Sequence, residues 1–134
     1  MKKIPPQLSK EDYEALELLR ERILLNLAED YSIPALVKKS GLNRDKLTWG
    51  FKNLFGQTVH QFLIEARMHH AYKLLRAGEK SLKFIASEAG YSSTQNFSTA
   101  FKKYFGFTPT SVNNNAGLPQ ISNNKMQKSN RFNL

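Results

Sequence analysis

No cysteine occurs anywhere in the 134 residues. Its lack excludes a disulfide framework, a thiolate zinc site and a cysteine nucleophile together. It also fits a reducing compartment, and cytoplasm is the expected location. No apolar run approaches the roughly 18 residues of a membrane span. Met1-Lys2-Lys3 leads into Pro5-Pro6 and acids rather than into a signal-peptide core. A soluble chain with no membrane partner is therefore expected. Proline and glycine are few, 5 and 7, and mostly fall between periodic segments, where they act as punctuation. No stretch sustains period-two alternation, so no strand is expected. Acid is the scarcer charge: 11 Asp and Glu face 20 Lys and Arg, for a formal charge of +9. A polyanion is the first partner that such a balance suggests.

The excess is localised. Residues 1 to 37 hold 5 basic and 7 acidic side chains, residues 38 to 109 hold 12 and 4, and residues 110 to 134 hold 3 and 0. Net charges are thus −2, +8 and +3, and the positive charge belongs chiefly to the part with the most regular pattern. That part reads as all-α. Ser9 opens a first helix with Tyr13, Leu16, Leu19, Ile23 and Leu27 at helical spacing, ending near Asp30-Tyr31. Ser32 caps a short second helix that Gly41 stops, and Asn43 caps a third that closes at Gly56. Thr58 with Gln61 is a capping box opening a long helix to about Ala77-Gly78. Ser81 caps a fifth helix, and Ser92 with Gln95 opens a sixth that ends at Gly106.

Two of these blocks repeat. Leu36-Val37 through Gly41-Leu42 lies over Ile85-Ala86 through Gly90-Tyr91 at an offset of 49. Leu47, Phe51-Lys52, Phe55-Gly56 and Thr58 lie over Phe97, Phe101-Lys102, Phe105-Gly106 and Thr108 at an offset of 50. One inserted turn residue accounts for the difference. Each copy is a short helix, a glycine turn and a second helix, the pattern of a helix-turn-helix. The expected organisation is a linker over residues 1–12 and a double helix-turn-helix domain over 13–112, followed by a disordered tail over 113–134. Within the domain, a first subdomain covers about 13–57, a linking helix about 58–77 and a second subdomain about 81–112. The tail is rich in Asn, and Lys125, Lys128 and Arg131 there offer loose phosphate contacts.

On a helical wheel the sixth helix turns Phe97, Phe101 and Phe105 inward and Gln95, Asn96, Thr99 and Lys103 outward, with Lys102 at the edge. Asn and Gln pair bidentately with adenine, Thr offers a hydroxyl or a methyl, and Lys neutralises phosphate. Gln95, Asn96 and Thr99 are the candidate base readers here, and Lys102 and Lys103 the phosphate contacts. On the third helix Asp45, Lys46 and Trp49 are the corresponding readers, with Arg44, Lys52 and Asn53 toward phosphates. Asp45 would accept from a cytosine amine, while Trp49 is open to either a thymine methyl or a protein contact. The long helix, about 30 Å at ~1.5 Å per residue, approaches the ~34 Å repeat of successive major grooves. One chain could then occupy two adjacent grooves. His60, His69 and His70 give no i, i+4 ligand pair, and His69 and His70 read as solvent-facing or core-edge groups. Arg67 reads as a structural contact. No metal, cofactor or catalytic site is expected.

Over residues 15 to 112 the chain resembles the DNA-binding domain of the AraC/XylS family of bacterial transcription regulators. In the second half the resemblance rests on Ile85-Ala86, Gly90-Tyr91-Ser92, Asn96-Phe97-Ser98, Ala100 through Lys103, Phe105-Gly106 and Thr108-Pro109. In the first half it rests on Gly41-Leu42-Asn43, Leu47, Phe51-Lys52 and Phe55-Gly56, then on Arg67-Met68, Ala71 and Leu74-Leu75. The stretch from Leu47 to Val59 looks more like the subgroup that includes siderophore-responsive regulators. The resemblance implies two helix-turn-helix subdomains on a long helix, binding of double-stranded promoter DNA, and RNA polymerase, recruited or positioned there, as a second partner. Trp49 departs from the pattern, since many members carry a basic residue there. Most members also carry an effector-binding or dimerisation domain, so a fragment of a longer regulator is expected over a stand-alone one. A DNA-repair protein is the enzymatic rival, but its alkyl transfer needs a cysteine acceptor. A basic helical adaptor for RNA or acidic proteins is the third reading.

Overall fold

The structure, a computed structural model, describes residues 4–112; the tail expected to be disordered lies outside them. Six α-helices follow one another: α1 (Lys10–Leu25), α2 (Ile33–Ser40), α3 (Arg44–Phe55), α4 (Val59–Arg76), α5 (Leu82–Glu88) and α6 (Thr94–Phe105). A single 3-10 turn, Pro109–Ser111, completes the described chain, which contains no strand. Among the described residues no helix is long and apolar enough to cross a membrane. The chain divides into two compact units between Leu63 and Ile64, inside α4.

In the first unit, α1 starts at Lys10, within the stretch read as linker, because Ser9 and Asp12 form a reciprocal capping box. It stops at Leu25 rather than near Asp30-Tyr31. Side-chain chemistry supplies the reason. The Tyr31 hydroxyl braces the turn that follows the helix, reaching the Asn26 carbonyl (2.6 Å), the Glu29 carboxylate (3.0 Å) and the Arg22 carbonyl (3.2 Å), which also accepts from the Asn26 N–H that closes the helix. The apolar period runs on through Leu27, but the backbone at Asn26 has already left the helix.

Gly50, in the middle of α3, sits at a tight point in the packing. A Cβ there would lie 2.8 Å from Leu16 Cδ1 and 3.1 Å from Leu8 Cδ1, so α1 and the segment before it approach α3 over a residue without a side chain. Leu16, Leu36, Leu47 and Phe51 are fully or almost fully buried. Phe51 meets Phe62 edge-on at 5.5 Å, and the Arg20 guanidinium sits over the Phe55 and Phe62 rings.

The Asp12 carboxylate accepts from the Ser9 N–H and faces Lys46 Nζ at 2.9 Å. The backbone hydrogen bond first, and then Lys46, hold its pKa below the ordinary carboxylate value. A carboxylate depressed in the folded state contributes stability above its unfolded pKa and loses it as pH falls through the folded one. Thermal unfolding followed against pH should therefore show the native chain above Asp12→Asn near neutrality. The two should converge once the pH is below the depressed value; a gap that persists in strong acid would contradict this origin.

The second unit repeats the plan. α5 ends in a Schellman turn, with Gly90 at φ +88°, the Tyr91 N–H on the Ala86 carbonyl at 2.8 Å and the Gly90 N–H on that of Ser87. One expected boundary moves here. The cap of α6 is Ser93, whose hydroxyl accepts from the Asn96 N–H, and not Ser92. Gly41 is two residues before the cap of α3 and Gly90 three before that of α6, so Ser92 is the inserted turn residue. The core is a ladder of rings, Phe97 to Phe101 at 5.7 Å and Phe101 to Phe105 at 4.6 Å, closed by Met68, Ile85 and Val112.

Candidate nucleic-acid interface

α6 presents the simpler face. Phe97 and Phe101 are fully buried, and the 100° period then leaves Gln95, Asn96, Thr99, Lys102 and Lys103 exposed together. Ser93 holds the N-terminus through the Asn96 backbone, while the Asn96 side-chain amide donates to Ser92 Oγ at 3.3 Å. Asn96 is thereby oriented before it meets any partner. Lys102 and Lys103 occupy the last turn, where cations also complement the helix dipole.

α3 is less uniform. Arg44, Asp45, Lys52 and Asn53 are exposed, and Trp49 is 37% exposed. Lys46, grouped with the readers on the wheel, is only partly exposed and its ammonium is engaged with Asp12. The reason is tertiary: Lys46 lies on the side of α3 that meets the start of α1. An open cavity of about 320 Å³ runs along the outward face, lined by Asp45, Thr48, Trp49, Lys52 and Thr58 together with Ile4, Pro5 and Pro6. The latter three residues were not among the sequence candidates, because an Ile-Pro-Pro run carries no signal for which surface it will lie on.

His69 and Arg67 have structural surroundings. His69 is buried, edge-on to Tyr104 and Phe105, with its Nε2 3.4 Å from the Tyr104 hydroxyl. Burial, and then the charge of Glu65, push the Tyr104 pKa upward. The Arg67 guanidinium lies over the Tyr91 ring at 5.9 Å.

Two copies of a short helix, a glycine turn and a second helix with a polar outward row define a helix-turn-helix protein. The Helix-turn-helix domain profile matches residues 36–115. Probable transcription factor PqrA of Proteus vulgaris is 32% identical over 91 residues, covering 68% of this chain and 75% of the relative. The C-terminal domain of the two-component response regulator yesN from Fusobacterium nucleatum superposes with a TM-score of 0.64 at 30% identity, covering 72% of this chain and 95% of that one. The DNA-binding domain of the global transcriptional factor AdpA, solved with a target DNA, superposes at 0.66 with 24% identity, covering 72% and 86%. The chain belongs to the AraC-type helix-turn-helix family of transcription regulators. It spans under two fifths of the length of several other curated relatives.

Proposed function

We propose that the chain acts by binding double-stranded promoter DNA, with α6 reading one major groove and α3 engaging the adjacent one. The observation that carries this reading is the exposed row Gln95, Asn96, Thr99, Lys102 and Lys103 along a single helix face, directly opposite three buried phenylalanines. Gln95, Asn96 and Thr99 supply base contacts, while Lys102, Lys103, Arg44, Lys52 and Asn53 supply phosphate contacts. Asp45 and Trp49 contribute to reading by α3. The pairing of Lys46 with Asp12 makes it a weaker reader than Asn96. The AdpA domain, of the same fold, is itself seen with a target DNA. Recruitment of RNA polymerase and control through an effector domain belong to this reading as family properties, and no step of it requires catalysis.

Selection from a randomised duplex pool, followed by affinity measured against salt, tests it. Each phosphate contact removed should flatten the log–log salt slope by about 0.9. Lys102→Ala and Lys103→Ala should weaken selected and random duplexes by similar factors. Gln95→Ala or Asn96→Ala should instead relax preference at one base position by about 1 to 3 kcal/mol. A flat salt response, or equal binding to duplex DNA, RNA and an acidic protein, would remove the reading and favour the adaptor.

A further inference from the structure

The two outward faces differ in one respect that their sequences do not show. Along α6 the row from Gln95 to Lys103 is exposed. Along α3 the equivalent row, Asp45, Trp49 and Lys52, shares a cavity with Ile4, Pro5 and Pro6. The segment is anchored at its other end, where Leu8 lies against Gly50 and Ser9 begins α1. From there it runs to the face of α3 that would enter a groove. A major groove is about 12 Å wide and 8.5 Å deep, and a helix with its side chains is already about 10–12 Å across. The groove has no room for a second stretch of chain on the buried side of the helix. Deep insertion of the Trp49 face into a groove therefore competes with the segment's present position beside it.

We infer that Ile4-Pro5-Pro6 is a movable cover on the first reading helix, which must swing off the Trp49 face before α3 can enter DNA. This rests on the reading of α3 as a groove-binding helix. Several features suit the segment to the task. Ile4 is 86% exposed and Pro5 is exposed, and the cavity beneath them is open, so little apolar contact is lost on leaving. Two consecutive prolines restrict the backbone, so the covering conformation costs little chain entropy. Leu8 and the α1 capping box stay in place as the fixed end of the hinge. Trp49 supplies an apolar wall to the cavity that the two prolines also line. The second unit has no such cover among the described residues. α6 is then the permanently open reader, and α3 the conditional one.

Two variants test the cover in the full chain. Pro5→Gly with Pro6→Gly loosens the segment while keeping every charge. Pro5→Cys with Thr48→Cys, in a chain that has no other cysteine, allows the segment to be fastened down by a short bis-maleimide. Apparent affinity falls in proportion to the competent fraction, so the glycine variant should bind the selected duplex about 3- to 10-fold tighter, and the fastened protein correspondingly weaker than its unfastened form. Fluorescence provides a DNA-free readout, because Trp49 is the chain's one tryptophan. Acrylamide should quench it faster in the glycine variant. Faster quenching with unchanged or weakened duplex affinity would overturn the cover and leave the DNA-binding reading intact; so would a fastened protein that binds as tightly as the unfastened one. If neither the native chain nor any variant binds duplex DNA, the DNA-binding reading itself falls, and the cover with it.

Discussion

One alanine inserted between Leu63 and Ile64 is expected to weaken binding to a selected two-groove site by about 100-fold, the lower range of what rigid tethering of two modules contributes. The position matters. It lies at the boundary between the two compact units, so the cores built on Leu16, Leu47 and Phe51, and on Met68, Phe97 and Phe101, keep their own sequence spacing. What changes is the link. α4 has 18 residues, giving about 27 Å at ~1.5 Å per residue, and one added residue turns everything beyond it by about 100°. That is enough to point one reading helix away from the groove that follows at about 34 Å along the duplex. The measurement is a footprint with affinities on the selected site, for native and inserted chains of equal helicity by circular dichroism. Protection of both groove segments at native affinity by the inserted chain would show that α4 does not hold the two readers in register.

Phe101→Ala should produce the largest loss of stability, about 3 to 5 kcal/mol by analogy with other buried aromatic truncations. Phe101 is fully buried and touches three rings, those of Phe97, Phe105 and Phe107. Removing it opens the middle of the ladder from which α6 projects its polar row. Whole domains retain only about 5 to 15 kcal/mol, so the second unit should lose most of its folded population on mild heating, and base discrimination by Asn96 with it. Urea unfolding should show two signals. Trp49 belongs to the first unit, so its emission should change at higher urea than the far-ultraviolet helix signal of the variant. A shift below about 1 kcal/mol, within the range of an ordinary surface substitution, would mean that the ring ladder collapses around the gap and does not set the position of α6.

Most of the helical order of this protein was readable along the chain because its causes act over three or four residues. Ser9 with Asp12, Asn43 with Lys46, Thr58 with Gln61 and Ser81 with Phe84 are cap contacts spanning three positions, so each helix start is written locally. The 50-residue repeat of Phe51 and Phe101 made the duplicated unit visible for the same reason. The errors lie where a local signal had a near-equal rival or a distant competitor. Ser92 and Ser93 are adjacent serines with equal capping chemistry, and the extra residue of the Gly90 turn decided between them. The end of α1 is braced by a tyrosine hydroxyl reaching back from position 31.

By itself, then, the sequence determined the all-α class, the two helix-turn-helix copies and the outward row from Gln95 to Lys103, since periodicity and capping are properties of neighbouring residues. The tertiary structure alone decided what lies beside the outward face of α3. The pairing of Lys46 with Asp12, the close approach of Leu16 and Leu8 to Gly50, and the cavity that Ile4-Pro5-Pro6 shares with Trp49 all join residues more than thirty positions apart. Such contacts depend on how α1 lies across α3, and that is settled by the mutual fit of two buried surfaces, a quantity that no spacing along one helix encodes.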